Sequence, residues 1–199
     1  MRLRAVLLTA VTFLLSFAHG QSQTIQEQVR DFRKANEQRL LSEFLNLLSV
    51  PNIASDRVNI RKNAELIMQM MKQRGLDPRL LEAPTPNTPP AVFAELKTPG
   101  ATRTLILYAH YDGQPTDPKQ WSGSLPWQPV FRSAALEADG KTIPTPNSGD
   151  VINPEWRIYG RSTSDDKAGV MTILTAFEAL KAKGIALTSN IKFFFEGEE

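Results

Sequence analysis

His110 and Asp112 stand one residue apart, a spacing that lets a carboxylate hold one imidazole nitrogen while the other nitrogen faces a ligand. Two further acidic groups could join them: Ser164-Asp165-Asp166-Lys167 and Glu196-Gly-Glu-Glu199. Each has an ordinary explanation alone. A histidine after a strand packs into the core, an Asp pair before a helix caps its free N–H groups, and an acidic loop is solvated. Together they point elsewhere, because three carboxylate clusters meeting in one crevice repel one another unless a cation lies among them. One imidazole with several carboxylates suits a hard or borderline divalent ion, zinc above all. A serine hydrolase built on Ser162 or Ser164 is excluded for want of a G-x-S-x-G elbow.

The elements that must carry these residues are legible in the hydrophobic pattern. Thr104–Ala109 is a continuous apolar run, which predicts a strand buried on both faces with His110 at its carboxyl end. Asn190–Phe195 predicts a second buried strand, ending at Glu196. Between them, Lys167–Lys183 predicts a helix with Val170, Ile173, Leu174, Phe177 and Leu180 on one stripe and Gly184 as its cap. Strand, helix, strand in that order argues for a parallel unit of an α/β fold, whose ligands bind at the carboxyl ends of the strands. Upstream, helices are expected over Thr24–Val50, ended by Pro51, and over Val58–Arg74, with Gly75 as cap and the methionines filling core space. Arg79–Ala83 and Ala91–Leu96 read as short strands around the proline-rich Pro84–Pro90. Trp121–Trp156 holds five prolines and three glycines with little periodicity, so a long loop is expected there.

The chain has 199 residues and no cysteine, which excludes disulfide frameworks, thiolate metal sites and a cysteine nucleophile within it. Its formal charge of +2 rests on Arg2 and Arg4, so the remainder is balanced and shows no basic stripe for nucleic acid. Met1–Arg4 is basic, Ala5–Phe17 is uncharged and apolar, and Ala18-His19-Gly20 supplies small residues for cleavage before Gln21. That pattern predicts a signal peptide over residues 1–20 and a secreted or periplasmic product with no membrane span after cleavage. His110 would then be the sole histidine of the mature chain.

Three motifs in order, Tyr108-Ala-His110-Tyr-Asp112-Gly-Gln-Pro115, Tyr159-Gly-Arg-Ser-Thr-Ser-Asp165-Asp-Lys-Ala-Gly169 and Phe195-Glu-Gly-Glu-Glu199, resemble those of the di-zinc peptidases. That family includes carnosinases, glutamate carboxypeptidase, aminoacylase and succinyl-diaminopimelate desuccinylase, and the stretch after His110 most resembles its dipeptidase branch. The resemblance implies an α/β catalytic domain with a mostly parallel central sheet flanked by helices, of which residues 21–199 would be the N-terminal part. It implies two zinc ions. His110 would ligate one, Asp165 would bridge both across a cis Asp165–Asp166 peptide, and Asp112 would orient His110. Glu199 would be the general base, with Glu198 the alternative. The implied reaction is amide hydrolysis in dipeptides or small peptides. A deacylase or desuccinylase of N-acyl amino acids and a non-catalytic secreted binding protein of the same fold are the other readings. A homodimer would form through a lid domain absent from this chain, which alone is expected to bind zinc weakly and to be inactive. Three positions depart from the family pattern: Ser162 stands where glycine is usual, Ala168 interrupts the usual Lys-Gly, and the 121–156 segment is long.

Overall fold

The computed structural model describes residues 23–199, so the leader expected over residues 1–20 lies outside the described residues. Thr24 opens helix α1 (Ile25–Ala35) with a capping box: its hydroxyl accepts from Glu27 N while the Glu27 carboxylate accepts from Thr24 N. The single helix expected over Thr24–Val50 is two. Asn36 leaves helical geometry at φ −114°, its side-chain amide donates to Phe32 O, and α2 (Glu37–Ser49) starts afresh. An asparagine that can bond a nearby backbone carbonyl competes with helix continuation, and no proline or glycine is needed.

Helix α3 (Arg57–Gln73) buries Ile60, Ala64, Ile67, Met70 and Met71, so the methionines do fill the core. It ends as expected at Gly75, where Gly75 N bonds Lys72 O and Leu76 N bonds Met71 O. This paired closure needs a left-handed residue, and Gly75 has φ +77°. Arg74, just before it, is buried and reaches both carboxylate oxygens of Glu43 on α2 at 2.7 and 2.6 Å, and Leu174 O on the fourth helix at 3.2 Å.

The main sheet runs β1 (Arg79–Leu81), β2 (Ala91–Leu96), β7 (Asn190–Glu196), β3 (Thr104–His110). Only β3 and β7 are parallel, joined through α4 (Lys167–Ala182) as the strand–helix–strand order predicted. The pairs β1–β2 and β2–β7 are antiparallel. The fold is α/β, but the sheet is mixed rather than mostly parallel. Residues 82–90 are too few for a helical crossover, and a short connection returns a strand antiparallel.

Expectation and structure also differ along β3. It lies at the edge of this sheet, and Leu105, Ile106 and Tyr108 are exposed, Ile106 by 68%. Its apolar run suits an interior strand, yet β7 covers one side only, and Ala109 and His110 are the buried residues. The expected 121–156 loop contributes two strands, β4 (Val130–Arg132) and β5 (Thr142–Ile143), and β4 pairs with both β5 and the following β6 (Arg157–Tyr159) in a small antiparallel sheet. Strands of two or three residues are too short to show periodicity.

Lys167, the first residue of α4, is fully buried and donates from Nζ to Leu47 O at 2.7 Å and Val50 O at 2.8 Å, clamping α4 to the end of α2. Burial pushes its pKa down to about 7. Because the folded value lies below the unfolded one, the unfolded chain binds more protons between about pH 7 and the ordinary lysine range, and stability from this group rises with pH there. The excess stability of the parent chain over Lys167→Met should therefore increase from pH 7 to pH 9 in urea melts; a constant difference would place the ammonium in an unperturbed setting.

Candidate metal site

The register of the parallel pair sets the site. His110 lies opposite Glu196, Ala109 opposite Phe195, and Tyr111 N continues the ladder by donating to Glu196 O at 2.7 Å. Two of the acidic motifs thus leave the sheet side by side. The third arrives from the start of α4, where Asp166 caps the helix by accepting from Gly169 N at 3.0 Å, and Asp165 precedes it across a cis peptide bond.

Around the imidazole, Asp112 Oδ1 lies 3.1 Å from His110 Nδ1, and Asp165 Oδ1 lies 2.9 Å from Nε2. Glu199 Oε2 is 3.7 Å from the same Nε2. His110 and Asp112 are buried, whereas the side chains of Asp165 and Glu199 are 84% and 61% exposed. One ring nitrogen is therefore held from within, and the other faces carboxylates open to solvent. Burial alone would lower the His110 pKa; hydrogen bonds to Asp112 and Asp165, with the charges of Asp112 and Glu199, outweigh it and hold the imidazole above its ordinary value. All four residues singled out in the sequence come together. Glu198 does not join them: it lines a hollow on the other side of the β7 end with Glu82, Thr88 and Pro89.

Two donors, His110 Nε2 and Asp165 Oδ1, face each other at hydrogen-bond distance, and among the described residues no three His, Asp or Glu side chains are grouped to hold a metal. The donor types fit zinc. An imidazole whose second nitrogen is held by a buried carboxylate is the usual form of a zinc-ligating histidine. The set supplied by these residues is nonetheless short of the four ligands that zinc takes.

Close approaches explain the glycines of the motifs. A Cβ on Gly197 would lie 2.7 Å from Pro89 Cβ and as close to the Tyr111 ring, while Tyr111 itself is buried and donates to Pro90 O. A Cβ on Gly113 would meet Ser162 Oγ and Asn52 Nδ2. Ser162 sits at φ +59°, which accounts for the glycine more usual at that position: the backbone is left-handed there. Sequence reasoning missed Asn52, which is wholly buried behind these loops. Its only signal was a polar residue directly after the helix-ending Pro51.

Residues 106–199 match the family model "Peptidase family M20/M25/M40". That segment is part of an M20-family domain. The Cys-Gly metallodipeptidase dug1 of Schizosaccharomyces pombe is 24% identical over 163 residues, covering 76% of this chain and 30% of the relative. The Beta-Ala-His dipeptidase of Homo sapiens is 32% identical over 111 residues, 56% of this chain and 18% of the relative. Among solved structures, the di-peptidase Dug1p of Saccharomyces cerevisiae superposes with a TM-score of 0.66 at 21% identity, covering 87% of this chain and 34% of that one. The M20 family metallo-carboxypeptidase Sso-CP2 of Sulfolobus solfataricus does so with 0.60 at 29% identity, covering 80% and 31%. The chain thus spans about a third or less of the proteins it matches.

The comparisons correct one expectation. The yeast Cys-Gly metallodipeptidases are cytosolic enzymes, against the secreted or periplasmic location read from residues 1–20. A basic start and a short apolar run are compositional signals, and nothing in the described fold depends on them. Among the described residues no helix is long and apolar enough to cross a membrane.

Gly197→Ala should destabilise the chain by about 1–3 kcal/mol through overpacking against Tyr111 and Pro89. Chemical denaturation measures it, and an unchanged midpoint would show that the β7 end yields freely.

Proposed function

We propose that this chain is the first part of a two-zinc peptidase that hydrolyses the amide bond of dipeptides or small peptides. The observation that carries the reading is the imidazole of His110, held at Nδ1 by buried Asp112 and facing exposed Asp165 and Glu199 at Nε2. The names of the relatives, Cys-Gly metallodipeptidase and Beta-Ala-His dipeptidase, favour dipeptides over N-acyl amino acids.

In this reading His110 Nε2 and Asp165 are metal ligands. Zinc, when bound, lowers the pKa of water and polarises the substrate carbonyl. Asp112 fixes the tautomer that leaves Nε2 unprotonated for the ion and strengthens it as a donor. Glu199, exposed and on the Nε2 side of the ring, takes the proton of the attacking water at a carboxylate oxygen and passes it to the leaving amine. Glu198 lines a separate hollow with Glu82, Thr88 and Pro89, which favours Glu199 as the base. Residues 21–199 form the N-terminal part of the catalytic domain, and the further ligands belong to sequence outside them.

In the full-length enzyme, Glu199→Gln should lower kcat for Cys-Gly by at least about 100-fold, the usual contribution of a positioned base, with zinc content unchanged. Loss of zinc with activity would make Glu199 a ligand instead, and full activity would remove it from the reaction.

A further inference from the structure

Asn52 lies outside all three acidic motifs, yet every polar atom of its side chain is hydrogen-bonded, and its Nδ2 joins two of them. Its Nδ2 donates to Tyr111 O at 2.8 Å and to Ser162 Oγ at 2.9 Å. Its Oδ1 accepts from Trp127 Nε1 at 3.2 Å, and its backbone oxygen accepts from Gly113 N at 2.8 Å. Tyr111 and Gly113 flank Asp112, Ser162 lies three residues before Asp165, and Trp127 belongs to the long 121–156 segment. Ile53, the next residue, bridges to Gly113.

We infer that Asn52 is a positioning residue: it fixes the loop of His110 and Asp112 against the loop of Asp165, and through Trp127 it ties the 121–156 segment to both. The inference rests on the reading of His110 and Asp165 as metal ligands. Asp165 is mostly exposed, so little packing holds it beside the imidazole. The stretch that carries it is anchored on one side by the Asp166 cap of α4 and on the other by Ser162. Ser162 is itself held in a left-handed conformation, with its hydroxyl accepting from Asn52. The opposing loop packs closely against both, since a Cβ on Gly113 would strike Ser162 Oγ and crowd Asn52 Nδ2 at 3.2 Å. Two loops in contact and joined through one buried amide move together or not at all. A serine in place of the usual glycine has a use here, because it supplies the second acceptor that the Asn52 amide needs when buried.

The chemistry of the amide makes the role specific. An aspartate at position 52 has the same shape but no N–H, so it turns an oxygen toward Tyr111 O, while alanine removes both bonds and leaves Trp127 Nε1 without an acceptor. Asn52→Asp and Asn52→Ala in the full chain are compared with the core variants Ile67→Val and Ile67→Ala, whose melting temperatures bracket theirs. The first readout is the side-chain nitrogen and proton spectrum of the His110 ring, assigned with His110→Gln. The second is binding of Co²⁺, followed by its visible absorption. Both Asn52 variants should shift the ring signals and weaken Co²⁺ binding at least tenfold, while the Ile67 variants of equal stability change neither. Ring signals that match the parent in both Asn52 variants would overturn the inference and leave Asn52 a stabilising residue only. A parent chain that binds no Co²⁺ would overturn the metal reading, and the ring signals alone would then decide whether Asn52 sets the loops.

Discussion

Parallel pairing of β3 with β7 brings Tyr111 N to Glu196 O, one hydrogen bond beyond the end of β3, so both chains leave the sheet at the same height. His110 and Asp112 on one side and Glu199 on the other follow from that register. A slip of one residue would turn His110 to the opposite face and separate it from Asp112 and Asp165 together. The parallel arrangement in turn requires the α4 crossover, and the crossover delivers Asp165 and Asp166 at its N-terminal end. Arg74 and Lys167 then hold α4 against α2 through carbonyl and carboxylate contacts that are mostly buried. The site is thus set by backbone geometry, with side chains arriving where the strands and helix end.

Electrostatics sets the state of the imidazole. Asp112, Asp165 and Glu199 gather on a single imidazole, and their combined influence raises its pKa despite burial. The ring and Asp165 satisfy one another at 2.9 Å. That contact costs little to exchange, because Asp165 is open to solvent, whereas the Asp112 contact lies in the interior and persists. The division between a fixed inner partner and a replaceable outer one is what a metal-ligating histidine requires.

The three motifs, α3 with its glycine cap, α4 and the parallel β3–β7 pair were legible because each rests on a local signal: a charged cluster, a 3.6-residue stripe, or an uninterrupted apolar run. The mixed sheet was hidden, since strand direction depends on connection length and not on any residue type. The break at Asn36 was hidden because asparagine inside a polar helix face looks like any other surface residue. The exposure of β3 was hidden because an apolar run reports what a strand is suited to, and only its neighbours report what covers it. Asn52 was illegible for a different reason: its partners lie 59, 75 and 110 residues away, and a single buried amide leaves no pattern in sequence.

The M20-family match over residues 106–199 covers all three motifs, which accords with a site made by the β3–α4–β7 unit. The most direct measurement on this unit is zinc affinity of the full chain, by competition with a chromophoric chelator, for the parent, Asp112→Asn and His110→Gln. The account predicts binding that falls about 10- to 100-fold when Asp112 can no longer hold the ring as a carboxylate, and that disappears with His110. Equal zinc affinity in all three proteins would contradict it.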